Sequence, residues 1–246
     1  MHGFWRSTIG AAAALIGTIG AASAADLYNG SMKDLGARPP LMAPPATWYL
    51  RLDTGYATHD APKMVSQGID EFVRTGINDT WTIGGGIGRY FTRSVRSDLT
   101  VDYRFDTDVH GRQVAPGATF PGTHRFGLES TVLLANLYYD FNRGGWFNPY
   151  LGAGLGTAYH QVNAGTTQTG GTIKGSDDWH VAGALMAGFT VALTDRFNLD
   201  AGYRFLYLGE TKAGGTADAF GNLEGGPSVE EIHAHEFRLG LRMDIR

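Results

Sequence analysis

The sequence predicts an all-β fold, an eight-stranded antiparallel up-and-down transmembrane β-barrel, on three observations. Eight segments between residues 48 and 245 alternate apolar with polar residues, the two-residue period of strands with unlike faces. Their connections alternate short, then long. Thr92-Arg93-Ser94, Asn142 to Asn148 and Thr194-Asp195-Arg196 take turns with polar stretches near 59–79, 106–127, 160–178 and 208–234. Each segment runs to roughly 9–11 residues, enough to cross hydrocarbon when tilted.

Taken in order, the chain opens on an export signal over 1–24. Arg6 precedes an apolar, small-residue run from Ile9 to Ala22, and Ala22-Ser23-Ala24 supplies a small-x-small cleavage pattern. Residues 25–46 carry Pro39, Pro40, Pro44 and Pro45 without apolar periodicity, which reads as a periplasmic linker. The barrel then occupies 47–246. Its first strand places Trp48, Leu50, Leu52, Thr54 and Tyr56 on one face, with Arg51, Asp53 and Gly55 on the other. The second runs near Thr80–Tyr90. The third sets Leu99, Val101, Tyr103 and Phe105 against Arg96, Asp98, Asp102 and Arg104.

In the fourth, Leu133 to Phe141 alternate outward against Asn136, Tyr138 and Asp140. The fifth opposes Leu151, Ala153, Leu155 and Tyr159 to Gly152, Gly154 and Gly156. The sixth carries Trp179, Val181, Leu185, Phe189 and Val191. The seventh opposes Phe197, Leu199, Ala201, Tyr203, Phe205 and Tyr207 to Asn198, Asp200 and Arg204. The eighth opposes Phe237, Leu239, Leu241, Met243 and Ile245 to Glu236, Arg238, Arg242 and Asp244.

Alternation alone does not say which face meets lipid, because a soluble ligand-binding barrel has the same period. Three features place the apolar face outward. Trp48 and Trp146 near the tight end and Trp81 and Trp179 near the other form two aromatic rows. The long connections lie at one end only. The polar face mixes opposite charges with glycines. The compartment is then the outer membrane of a Gram-negative bacterium, with outer-membrane lipid and lipopolysaccharide as surroundings.

Composition narrows the rest. A net charge of −4 and no basic run argue against nucleic acid, and the chain has no Cys for disulfides or thiolate sites. An eight-stranded lumen is just wide enough to be filled by side chains. Arg51, Asp53, Arg96, Asp98, Asp102, Arg104, Asp140, Asp200, Arg204, Glu236, Arg238 and Arg242 are therefore read as a paired interior charge network, with Asp244 beside it. A narrow ion path along these charges is the alternative.

Gly84-Gly85-Gly86-Ile87-Gly88 and the Gly152, Gly154, Gly156 series have period two and no following helix, so they are strand stripes rather than phosphate loops. The seven mature histidines (His59, His110, His124, His160, His180, His233, His235) cluster toward the long-connection end. His233-x-His235 has a spacing suited to a metal, or to haem capture, against the plain reading that polar loops collect histidines. No Ser adjoins His233, His235 and Glu236 in the strand, which disfavours a lipid hydrolase or acyltransferase. No cofactor is expected.

Several segments carry a family likeness: Asp102-Tyr103-Arg104-Phe105, Leu137-Tyr138-Tyr139-Asp140-Phe141, Pro149-Tyr150-Leu151-Gly152-Ala153-Gly154-Leu155-Gly156, Gly202-Tyr203-Arg204-Phe205 and Leu239-Gly240-Leu241-Arg242. Over residues 47–246 the chain resembles the small eight-stranded outer-membrane barrels of the OmpA/OmpX and opacity-protein type. Within these it is most similar to the alphaproteobacterial porin-family immunogenic proteins. The resemblance implies a non-enzymatic protein that supports envelope integrity and presents surface loops to host or environment, with a narrow porin as alternative. It also implies delivery by the outer-membrane insertion machinery. In some related barrels a mature Ala-Asp terminus joins peptidoglycan, and Ala25-Asp26 matches that dipeptide. The end Met243-Asp244-Ile245-Arg246 departs from the usual terminal aromatic, which puts the efficiency of insertion in question.

Overall fold

The structure, a computed structural model, describes residues 47–66, 70–113, 122–167, 171–217, 223–224 and 228–245. The expected signal, the linker and Ala25-Asp26 lie outside the described residues. Eight strands form the barrel: β1 (Trp48–His59), β2 (Thr80–Tyr90), β3 (Val95–Gln113), β4 (Gly122–Asp140), β5 (Phe147–Val162), β6 (Ser176–Ala192), β7 (Phe197–Tyr207) and β8 (His233–Ile245). Each pairs antiparallel with its sequence neighbours, and β1 closes on β8 from Trp48↔Ile245 to His59↔Ala234. Closure leaves no unpaired edge in hydrocarbon, which a spanning sheet requires. Among the described residues there is no helix.

The pleat does what the alternation demands. Leu50, Leu52, Val101, Leu137, Leu155, Leu185, Leu239 and Leu241 point outward and exposed, while Tyr49, Asp53, Asp98, Asp102, Asn136 and Arg204 are buried inside. Trp81, Trp146 and Trp179 are each at least 60% exposed. Trp48 and Tyr56 end the outward row of β1, about 26 Å apart along the strand, close to the height of an outer-membrane apolar band.

Two expectations need correction. Four strands are far longer than a membrane needs: β3 and β4 have 19 residues each, β5 has 16 and β6 has 17. The long polar connections are not plain loops either. They contribute short strands at Lys63–Ser66, Asp70–Ile77, Gly165–Thr167, Thr172–Ile173, Thr211–Lys212, Thr216–Ala217, Leu223–Glu224 and Ser228–Glu230. These add to both sides of the projecting β3–β4 hairpin and build a collar beyond the membrane. The reason is burial. Met64, Ile77, Phe126, Leu128, Val162, Ile173, Val229 and Ile232 turn inward and form an apolar core that isolated loops could not bury.

A β-bulge sets where the lumen changes character. The β3–β4 register shifts between Arg104 and Thr107. Below it the even residues Asp98, Asp102 and Arg104 face inward; above it the odd residues Thr107 and Val109 do. One extra residue reverses which face each later side chain occupies. Asp106 and Asp108 are thereby exposed and Val109 enters the core.

Candidate functional site

The lumen is the chemically distinctive part of the molecule. In its lower half, Arg96 Nε donates to Asp140 at 3.1 Å and its guanidinium lies 3.9 Å from the Tyr138 ring centroid. Asp98 accepts from Tyr49 Oη at 3.0 Å, Arg51 Nη1 at 2.9 Å and Asn136 Nδ2 at 2.8 Å. Arg51 also donates to Asp53 at 2.7 Å. Toward the tight end, Arg242 stands 3.6 Å from Asp200, which accepts from Thr190 Oγ1. Asp244 is half-buried and accepts from Tyr90 Oη and Asn198.

Higher up, Arg204 bridges two carboxylates, donating 2.6 Å bonds from Nη1 to Asp102 and from Nε to Glu236. Arg238 gives Asp102 a second donor at 2.7 Å and lies 3.6 Å from Asp53, joining the two halves. Arg104 pairs with Glu236 and also reaches His59 Nε2 at 2.9 Å. The His59 Nδ1–H then donates to the Asn78 carbonyl at 3.1 Å. All twelve charged residues read from the sequence as an interior network thus face the lumen, and each has an opposite charge within 4.0 Å. Their exact partners depend on strands distant in sequence.

The glycine stripes make room for this network. A Cβ on Gly84 would lie 2.9 Å from Asp102 Cγ, and one on Gly240 would lie 3.1 Å from Asp53 Cγ. A cavity of about 10 Å³ bordered by Arg51, Asp53, Tyr138, Asp200, Arg204 and Arg238 holds about one water. Above the charges the apolar collar core continues the filling.

The histidines divide. His233 stacks on Phe205, with centroids 5.5 Å apart, on the outward side. His235 engages Tyr203 Oη and sits 3.2 Å from the Asp60 carboxylate. Among the described residues no group of three or more His, Cys, Asp or Glu is placed to hold a metal ion. His124 and His160 are buried rather than displayed.

One pair escaped sequence reading. Ser130 Oγ donates to His160 Nδ1 at 2.7 Å while His160 Nε2 donates to the Leu208 carbonyl at 2.9 Å. It resembles a nucleophile–base pair in outline, but Ser130 is 4% exposed and His160 0%, so no substrate reaches it. Only the register Ser130↔His160 of β4 and β5 reveals it. Ser130→Ala should leave His160 Nδ1 buried without a partner and cost about 1–3 kcal/mol. Urea unfolding of the vesicle-inserted protein checks this, and an unchanged midpoint would refute the pairing.

Comparison with known proteins places this geometry. A family model described as an outer membrane protein beta-barrel domain matches residues 11–242. An uncharacterized protein of Brucella suis biovar 1 is 31% identical over 275 residues, covering 94% of this chain and 95% of the relative. A Rickettsia bellii protein named "Putative adhesin" is 26% identical over 208 residues, 81% of this chain and 88% of that one. Among solved structures, OprG from Pseudomonas aeruginosa superposes with a TM-score of 0.55 at 16% identity, covering 81% of this chain and 98% of the other. The closed lattice, the outward apolar belt and a family match across nearly the whole chain agree: this chain belongs to the outer membrane protein beta-barrel domain family and resides in the outer membrane of a Gram-negative bacterium.

Proposed function

We propose that the protein is a non-catalytic, non-conducting barrel that stiffens the envelope and holds a structured collar outward for contact with host or environment. The observation that carries this reading is the filled lumen. Paired charges occupy its membrane half and an apolar core occupies its collar half, and the cavity between Arg51, Asp200 and Arg238 has room for about one water. A barrel filled in this way serves as a rigid pedestal. Among the described residues, its projecting hairpin and added strands turn apolar residues such as Met64, Phe126, Ile173 and Val229 inward and leave polar ones such as Asp108, Arg125 and Lys174 exposed, which suits reversible contact with a hydrated partner. Relatives in Rickettsia whose names say adhesin favour the same reading.

The competing reading, a narrow ion path along the charge network, meets an electrostatic barrier. Each lumen arginine would have to exchange a carboxylate partner for a passing ion, and breaking buried pairs costs several kcal/mol. Planar-bilayer recording is expected to show no unitary steps from the folded protein. Reproducible steps that change when Arg204 or Arg238 is replaced would overturn the reading. Surface display supplies the positive arm: cells carrying the full barrel should bind a host-cell or matrix surface more than cells carrying a barrel with the β3–β4 projection cut back.

A further inference from the structure

The tight end carries two arginines, Arg89 and Arg93, that neither the lumen nor the collar uses. Arg89 lies at the end of β2 and Arg93 in the turn between β2 and β3. Arg89 lies on the outward, lipid-facing row of β2, opposite Trp48 in register. Its guanidinium carbon is 5.5 Å from the Trp48 ring centroid and 5.7 Å from that of Phe91. Arg93 is exposed two residues beyond Phe91. Arg143, from the next turn, reaches across to donate to the Thr92 carbonyl at 2.9 Å, with its guanidinium 3.5 Å from the Tyr90 ring centroid. Every lumen arginine pairs with a carboxylate, but among the described residues Arg89 and Arg93 form no ion pair.

We propose that this pair of arginines is a headgroup site for an anionic phospholipid of the periplasmic leaflet. In these barrels the short turns face the periplasm, so the Trp48–Phe91 row lies at the level of that leaflet's phosphates. A guanidinium fork matches the two free oxygens of a phosphodiester, and flanking aromatics keep the arginine stem among acyl chains while its head reaches the interface. A soluble periplasmic polyanion would need cations pointing away from the membrane. Arg89 instead occupies the same outward row as Ile83 and Ile87, both exposed to lipid.

The test uses the barrel with Trp48 as its only mature tryptophan (Trp81→Phe, Trp146→Phe, Trp179→Phe), inserted in phosphatidylcholine vesicles. An equal fraction of either brominated-chain phosphatidylglycerol or brominated-chain phosphatidylcholine is then added. Quenching of Trp48 should report a preference for phosphatidylglycerol of about five-fold, the size expected of one well-placed arginine at an anionic surface. The preference should approach one in Arg89→Gln with Arg93→Gln. Arg89→Lys, which keeps charge but loses the fork, should fall between. High salt should weaken the preference in the unsubstituted barrel, an arm that needs no arginine variant. Equal quenching by the two lipids, or a preference unchanged in the double variant, would overturn the site. Displacement of the phosphatidylglycerol preference by a soluble anionic cell-wall fragment would overturn the lipid assignment in favour of a periplasmic polymer.

Discussion

Arg204→Met is expected to destabilise the folded barrel by about 3–5 kcal/mol, because it leaves two buried carboxylates short of their shared cation. Arg204 is 1% exposed and holds Asp102 and Glu236 together through 2.6 Å bonds from different atoms of one guanidinium. Methionine fills much of the same space, so the loss reads charge rather than volume. A second variant separates net worth from the penalty of breaking. Arg204→Met with Asp102→Asn leaves Glu236 with Arg104, and Arg238 with Asp53, so each remaining charge keeps an opposite neighbour. It should recover more than half of the loss. Urea unfolding in vesicles, followed by gel mobility of unboiled samples, measures both. A single variant as stable as the parent would show that the stack contributes nothing.

The second large effect comes from the opposite face. Leu52 stands midway between Trp48 and Tyr56 on the outward row of β1, 45% exposed, beside Leu241 in register. Arginine there must sit in hydrocarbon near the bilayer midplane, at a cost of about 2–4 kcal/mol. The same residue at Tyr56, in the interfacial row, should cost about 0–1 kcal/mol. This depth dependence distinguishes lipid contact from mere surface exposure. In a barrel whose apolar face met water or another protein, the two substitutions would not follow bilayer depth. Equal costs at both positions would therefore contradict the membrane assignment.

Much of this was legible from residue order. A side-chain period of two needs no long-range information, so the outward rows of β1, β3, β7 and β8 and the inward set from Arg51 to Arg242 follow directly. The pairing of those charges was not legible. Asp98 meets Arg51 and Asn136, forty or so residues away in either direction, because closure brings their strands together. Local pattern likewise failed at Arg104–Thr107, where a bulge reverses the phase and sends Val109 inward in place of Asp108. The polar stretches were the largest misreading. Their apolar residues are too few and scattered to announce strands, yet each gains a core once β3 and β4 project far enough to receive them.

Residue order by itself determined the strand count, the membrane-facing side and the charged character of the lumen, since alternation and aromatic rows are local properties of the chain. Tertiary structure decided which arginine serves which carboxylate, where the lumen turns from charged to apolar, and that the surface connections form a packed collar. Those outcomes depend on register between strands, and register is set only when the sheet closes and every buried side chain must find both space and a partner.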